Sequence, residues 1–151
     1  MNGDEIKVLG FALGNQWFSL ELSTVREVVE EPELTIAPMA PECARGVFNY
    51  HGNVITVVDP AHFFGVNALE RSPDTRIVVL EGDNIALGFQ VDRADKIELL
   101  PREAILTGKD GVSEKLFVRS VVTMGDRLYN LVDLDPLLEA VEEEFTAANE
   151  R

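Results

Sequence analysis

The chain has 151 residues, 46% hydrophobic and 26% charged, a profile that fits one globular domain and excludes a disordered or fibrous chain. Its 13 basic residues face 27 acidic ones, a formal charge of −14, which argues against nucleic acid and anionic membranes as partners because both demand clustered Lys and Arg. One cysteine, Cys43, excludes an internal disulfide and suits a reducing cytosol.

The opening residues, MNGDEIK, lack the apolar run of a secretory signal, and no stretch approaches the roughly 18–20 apolar residues of a membrane span. A soluble, cytoplasmic monomer is the expectation. Along the chain the hydrophobic period is mostly two. Ile6–Leu13 reads as a strand, Gly14-Asn15 as a hairpin turn, and Gln16–Leu22 alternates with Phe18, Leu20 and Leu22 on one face. Further strands are expected at Val25–Val29, Gly46–Tyr50, Asn53–Asp59, Arg76–Leu80, Ile85–Val91, Ile97–Leu100, Leu116–Met124 and Leu128–Val132. Pro32–Cys43, with three prolines, and Pro101–Lys115 read as loops. A short helix is expected after Asp59-Pro60, with Asp59 as N-cap and Gly65 as terminator, and a single turn near Ser23–Val25. A C-terminal helix at 135–147 sets Leu137, Val141 and Phe145 four residues apart, with Glu139 and Glu142–Glu144 on a solvated outer face. Ten short strands indicate barrels or a sandwich.

The sequence also repeats itself. At an offset of 69, Phe18 falls on Leu87, Leu20 on Phe89 and Leu22 on Val91; Asn15 meets Asn84, and Val25 and Val28 meet Ala94 and Ile97. At an offset of 74, Val47 falls on Val121, Val54 on Leu128, Val57-Val58 on Leu131-Val132 and Asp59 on Asp133. Two related halves of about 70 residues follow, each near the size at which a lone core is marginal, so each should lean on the other. Barrel subdomains are expected at 16–70 and 76–134 within one domain spanning 1–151, with strand exchange open at 6–13. Their seam should be apolar, and any unfilled part of it a groove.

Catalytic constellations are sparse. Cys43 could pair only with His51 or His62, and PECARG offers no sign of a depressed thiol pKa. His51, Asp59 and His62 have no metal-ligand spacing, and Gly108-Lys109-Asp110-Gly111 is not a phosphate loop. Asp59 and Asp133 read as strand-end or cap acceptors. The chain does not read as an enzyme, and no cofactor or metal is expected.

GVFNYHGNVITVVD (Gly46–Asp59), followed by Ala-His-Phe-Phe-Gly, resembles the central signature of the CheW family. VLGFALGNQWFSLEL with VREVVE, RIVVL-EGDNIALGFQVD and MGDRLYNLVDLDPLL resemble its flanking strands, so the likeness covers about residues 6–140. It implies an all-β fold of two intertwined five-stranded SH3-like barrels around a shared core. It also implies a non-enzymatic adaptor that couples methyl-accepting chemoreceptors to a CheA-type histidine kinase. One barrel edge would pair with the kinase regulatory domain, the inter-barrel groove would take the receptor's cytoplasmic tip, and receptor arrays would recruit the protein to the membrane without insertion.

The family's partner-contacting positions carry over to Val25, Glu27, Arg45, Gly46, Asn49, His51, Gly52 and Asn53. Val25 also reads as core, Gly46 and Gly52 as turn or bulge glycines, Asn49 as a loop hydrogen-bonder and Arg45 as a solvated rim charge. The family's Asn-x-Arg-Gly stands here as Asn49-Tyr50-His51-Gly52, and His is no equivalent of a permanently charged, five-donor guanidinium. A divergent adaptor is therefore expected. An adaptor for twitching motility or biofilm signalling, and a small-molecule-sensing barrel, stay open as alternatives.

Overall fold

A computed structural model describes residues 5–103 and 116–150. Ten strands form two five-stranded sheets. The strands are β1 (Glu5–Leu13), β2 (Gln16–Glu21), β3 (Val25–Glu30), β4 (Ala44–Tyr50), β5 (Asn53–Val58), β6 (Arg76–Leu80), β7 (Leu87–Val91), β8 (Arg93–Pro101), β9 (Val118–Met124) and β10 (Arg127–Val132). Helix α1 is Ala61–Phe64 and α2 is Leu134–Asn149. The first sheet runs β8-β1-β2-β10-β9 and the second β3-β6-β7-β5-β4.

The repeat holds at the level of register. In the first sheet Leu9 lies opposite Leu20 and Ile97; in the second, Val78 lies opposite Phe89 and Val28, which are the same positions 69 residues apart. The parallel pairs correspond too: Phe18 faces Asn130 as Leu87 faces Thr56. Each sheet therefore takes two strands from one half of the chain and three from the other. The barrel boundaries expected at 16–70 and 76–134 follow the repeat, not the sheets. The reason is local. The 3-10 turn Leu22–Thr24 turns the chain out of β2 into the other sheet, and Asp92 alone separates β7 from β8, where it crosses back.

Both faces of each sheet are buried. Leu9, Phe11, Phe18 and Leu20 of the first sheet meet Val58, Val78, Leu80 and Phe89 of the second in one core, which Leu137 and Val141 of α2 close. The reverse faces enclose smaller clusters, Val8, Leu100, Val122 and Leu131 in the first sheet and Tyr50, Ile55, Val57, Ile77 and Val79 in the second. Burial on two sides explains why segments such as IVVL (Ile77–Leu80) are apolar throughout rather than alternating.

Several boundaries differ from expectation. β8 begins at Arg93, not Ile97, and continues through Pro101; β9 begins at Val118 because Phe117, at φ 65°, belongs to the preceding turn. The helix expected at 135–147 spans Leu134–Asn149. Asp59 does serve α1, its Oδ1 accepting the Ala61 N–H at 3.0 Å, and Gly65 ends the helix at φ 69°. Most of the loop expected at 101–115 lies outside the described residues.

Candidate docking surfaces

The eight sequence-derived positions all lie in the second sheet, at the two strands that form its edges, β3 and β4, and at the β4–β5 turn. They divide into two groups. Arg45 and His51 are six residues apart on an extended strand, roughly 20 Å.

At one end, Tyr50, His51, Gly52 and Asn53 make a two-residue hairpin. His51 and Gly52 both have positive φ (51° and 85°), as a turn matched to the strand twist requires. Histidine is among the side chains that tolerate this region. Asn49 Oδ1 accepts the Gly52 N–H at 2.9 Å, so Asn49 holds the turn. Tyr50 donates its hydroxyl to Glu27 Oε1 at 2.5 Å, joining the β4–β5 hairpin to the far edge strand β3. That bond, then desolvation, raises the Tyr50 pKa, which keeps the phenol protonated as donor. The His51 ring packs edge-on against Tyr50, and its Nε2 stands 3.9 Å from the same Glu27 oxygen. Val25, on the other side of a bulge from Glu27, turns inward and packs at the margin of the shared core.

At the other end, Arg45 is not a free rim charge. Its Nη2 reaches Asp59 Oδ2 at 2.7 Å and its Nη1 the Glu42 carbonyl at 3.2 Å. Gly46 sits at the β4 bulge with φ 141°, and a Cβ there would lie 2.9 Å from both Leu34 Cβ and the Thr35 carbonyl. Glycine is required by the backbone at this place.

Sequence reasoning missed three residues. Tyr50 is the bridge that closes the sheet end. Val54, opposite Asn49 and 62% exposed, puts an apolar side chain on the Asn49 face of the hairpin, beside its turn. Arg26 pairs doubly with Glu81 through Nε (3.2 Å) and Nη2 (2.8 Å) across the edge of β3. An apolar residue just after a turn was the available signal for Val54; the other two join segments remote in sequence.

The joint between the sheets carries two shallow apolar grooves that the repeat relates. One, of about 390 Å³, is lined by Phe18, Phe63, Phe64, Leu116 and Val118. The other, of about 380 Å³, is lined by Ile85, Leu87, Leu138, Val141 and Phe145. Titratable groups that might have converged do not. His51 sits at the opposite end of β4 from Cys43 and Asp59. Cys43 is fully buried, and desolvation followed by the Glu144 charge pushes its thiol up to about 12, so it is an inert core residue. His62 Nε2 bonds Glu144 Oε2 at 2.9 Å and ties α1 to α2. Among the described residues no cluster of three or more His, Cys, Asp or Glu side chains could hold a metal, and no helix is long and apolar enough to cross a membrane.

A family model described as a CheW-like domain matches residues 7–142. The chain is 27% identical over 143 residues to the chemotaxis protein CheW of Helicobacter pylori, covering 91% of this chain and 84% of that one. It is 29% identical over 140 residues to the chemotaxis protein CheW of Rhizobium meliloti, covering 91% and 90%. The crystal structure of the scaffolding protein TtCheW from Thermoanaerobacter tengcongensis superposes with a TM-score of 0.78 at 26% identity, covering 89% of this chain and 92% of that one.

Proposed function

This chain belongs to the CheW-like domain family, and from that premise we propose that it is a scaffold without chemistry of its own, coupling chemoreceptors to a CheA-type histidine kinase beside the membrane. The observation that carries this reading is the apolar groove at the seam of the sheets, lined by Ile85, Leu87, Leu138 and Phe145. A receptor's helical tip, with apolar residues at i, i+3 and i+4, needs such a groove with a polar rim, and Asn84 and Glu142 stand on this one. The kinase regulatory domain is assigned to the β4–β5 hairpin end, where exposed Val54 forms an apolar centre with Asn49 opposite it and the His51-Gly52 turn next to it. Val25, Glu27 and Gly52 then act mainly by shaping and bracing that end, while Arg45 and Gly46 hold the bulge at the opposite end of β4. Each contact is modest alone and gains from simultaneous engagement in an array.

The test is size-exclusion and calorimetric binding to a CheA-type regulatory domain and, separately, to a receptor cytoplasmic fragment. Val54→Asp should weaken the kinase domain about tenfold and spare the receptor, while Ile85→Lys should do the reverse. If neither variant changes either affinity while both remain folded by circular dichroism, the assignment fails.

A further inference from the structure

One concavity takes no part in the reading above. It is a cleft of about 730 Å³ between the segment that follows β3 and the segment that follows α1, with Arg45 and Asp59 at its base. Both walls are pinned. Thr35 and Val47 exchange backbone hydrogen bonds at 2.9 and 2.8 Å, fixing the first wall to β4. Glu31, whose side chain is only 5% exposed, accepts from Gln90 and lies 2.6 Å from Arg71 Nε. Asp92 Oδ2 accepts the Leu69 N–H at 3.0 Å and the Gly14 N–H at 2.6 Å, fixing the second wall to the β1–β2 turn. On these held backbones Ile36 and Leu69 are 78% and 64% exposed, above a floor that includes Leu34 and Val66. Large apolar side chains held out to water across a preformed cleft are anchors in search of an occupant.

The charges say which kind. The two arginines are spent internally, Arg45 on Asp59 and Arg71 on Glu31. Glu33, Glu42 and Glu70 also line the cleft, and their carboxylates have no ion-pair partner among the described residues. Concave, one-signed surfaces focus potential and favour an oppositely charged ligand. A second copy of this chain, at −14, is repelled. We propose that the cleft docks a short basic segment of a partner protein, one in which Lys or Arg side chains flank two apolar anchors. The apolar pair would seat against Ile36 and Leu69, and the cations against Glu33, Glu42 and Glu70. This goes beyond the scaffold reading and uses neither the groove nor the hairpin end.

The probe is a fluorescein-labelled peptide of about a dozen residues with two leucines set among lysines, followed by anisotropy, with a twin in which glutamates replace the lysines. The lysine peptide should bind, and the glutamate twin should not. Glu33→Gln/Glu42→Gln/Glu70→Gln and Ile36→Ser/Leu69→Ser should each weaken binding about tenfold or more. Glu139→Gln/Glu143→Gln/Glu150→Gln on α2, an equal change in net charge, should alter it by less than about twofold. The proposal is overturned if the α2 triple weakens binding as much as the cleft triple, since overall charge then explains it. It is also overturned if the glutamate twin binds equally, if the cleft variants bind normally, or if no binding occurs below about millimolar. A concentration-dependent dimer abolished by Ile36→Ser/Leu69→Ser would assign the face to a second copy and likewise overturn it.

Discussion

The two sheets share one blueprint but finish their hairpin ends differently. In the first, Trp17 lies between two guanidiniums, Arg127 at 3.7 Å and Arg93 at 5.1 Å from its ring centre. Arg127 also bonds Asp95 Oδ2 at 2.6 Å, and Tyr129 donates to the same oxygen at 3.0 Å. In the second sheet the equivalents of Trp17, Arg127 and Tyr129 are Ala86, Asn53 and Ile55. Its end is closed instead by Tyr50 reaching across to Glu27, with His51 outside the bond. An apolar residue stands exposed at the same place in both, Leu128 and Val54, so exposure alone does not separate them. What differs is the surroundings: the first end consumes its charges and aromatics internally, while the second leaves amides and an imidazole on offer. Duplication lets one copy keep a locked end while the other end is left open, which is where the proposed kinase contact is placed.

The harshest way to break this comparison is to cut the core the two sheets share. Leu20→Ala and Phe89→Ala, repeat equivalents in different sheets, should each cost about 3–5 kcal/mol. Because Leu20 and Phe89 belong to one cluster, unfolding should be a single transition in both variants. Trp17 fluorescence reports the first sheet, so Phe89→Ala must lower its midpoint as far as it lowers that of the far-ultraviolet dichroism. A Trp17 transition left in place would mean the sheets fold independently.

Next comes the bulge on each outer strand. Gly46→Ala should cost about 1–3 kcal/mol, from its positive φ and the contacts its Cβ would make with Leu34 and Thr35. Its repeat equivalent is Ser120, buried with a hydroxyl that has no hydrogen-bond partner among the described residues. Ser120→Ala should therefore be neutral or stabilising by up to about 1 kcal/mol in urea unfolding. The same site in the two copies then gives opposite signs.

At the hairpin ends, Tyr129→Phe removes a buried donor from Asp95 and should cost about 1–2 kcal/mol. Tyr50→Phe should cost less stability, and instead loosen the hairpin, seen as faster amide exchange at Gly52. Smallest in stability is His51→Arg, since the side chain is 75% exposed. A permanent cation in the neighbourhood of Glu27 should nonetheless brace that end and, on the proposed assignment, raise affinity for the kinase domain, measurable by calorimetry. Unchanged binding would take position 51 out of the interface.

Much of this architecture was legible in advance because period-two runs punctuated by Gly, Asn and Pro mark strands regardless of partner. The repeat was legible because equivalent positions face equivalent environments: Leu20 and Phe89 are both core. The interleaving came only from the family resemblance, which implied intertwined barrels; the repeat by itself shows which strands correspond but not which copy each one joins. That choice rests on a three-residue turn at Leu22–Thr24 and on Asp92. Gly46 and Asn49 were readable as a bulge glycine and a turn holder, because those roles are local. The Tyr50–Glu27 bond and the Arg45–Asp59 pair span 23 and 14 residues and depend on how the sheet closes. The cleft beside Arg45 was invisible because its walls are aperiodic, Pro-rich on one side and irregular on the other.

The interleaved strands also govern how the chain can be made. Asn130 donates to the Trp17 carbonyl across 113 positions of sequence, so β2 has no neighbour on that side until β10 has left the ribosome. A nascent or truncated product carries an open strand edge in each unfinished half, a template for joining its neighbours. The arrangement that gives the finished molecule its joint makes its synthesis an all-or-nothing event.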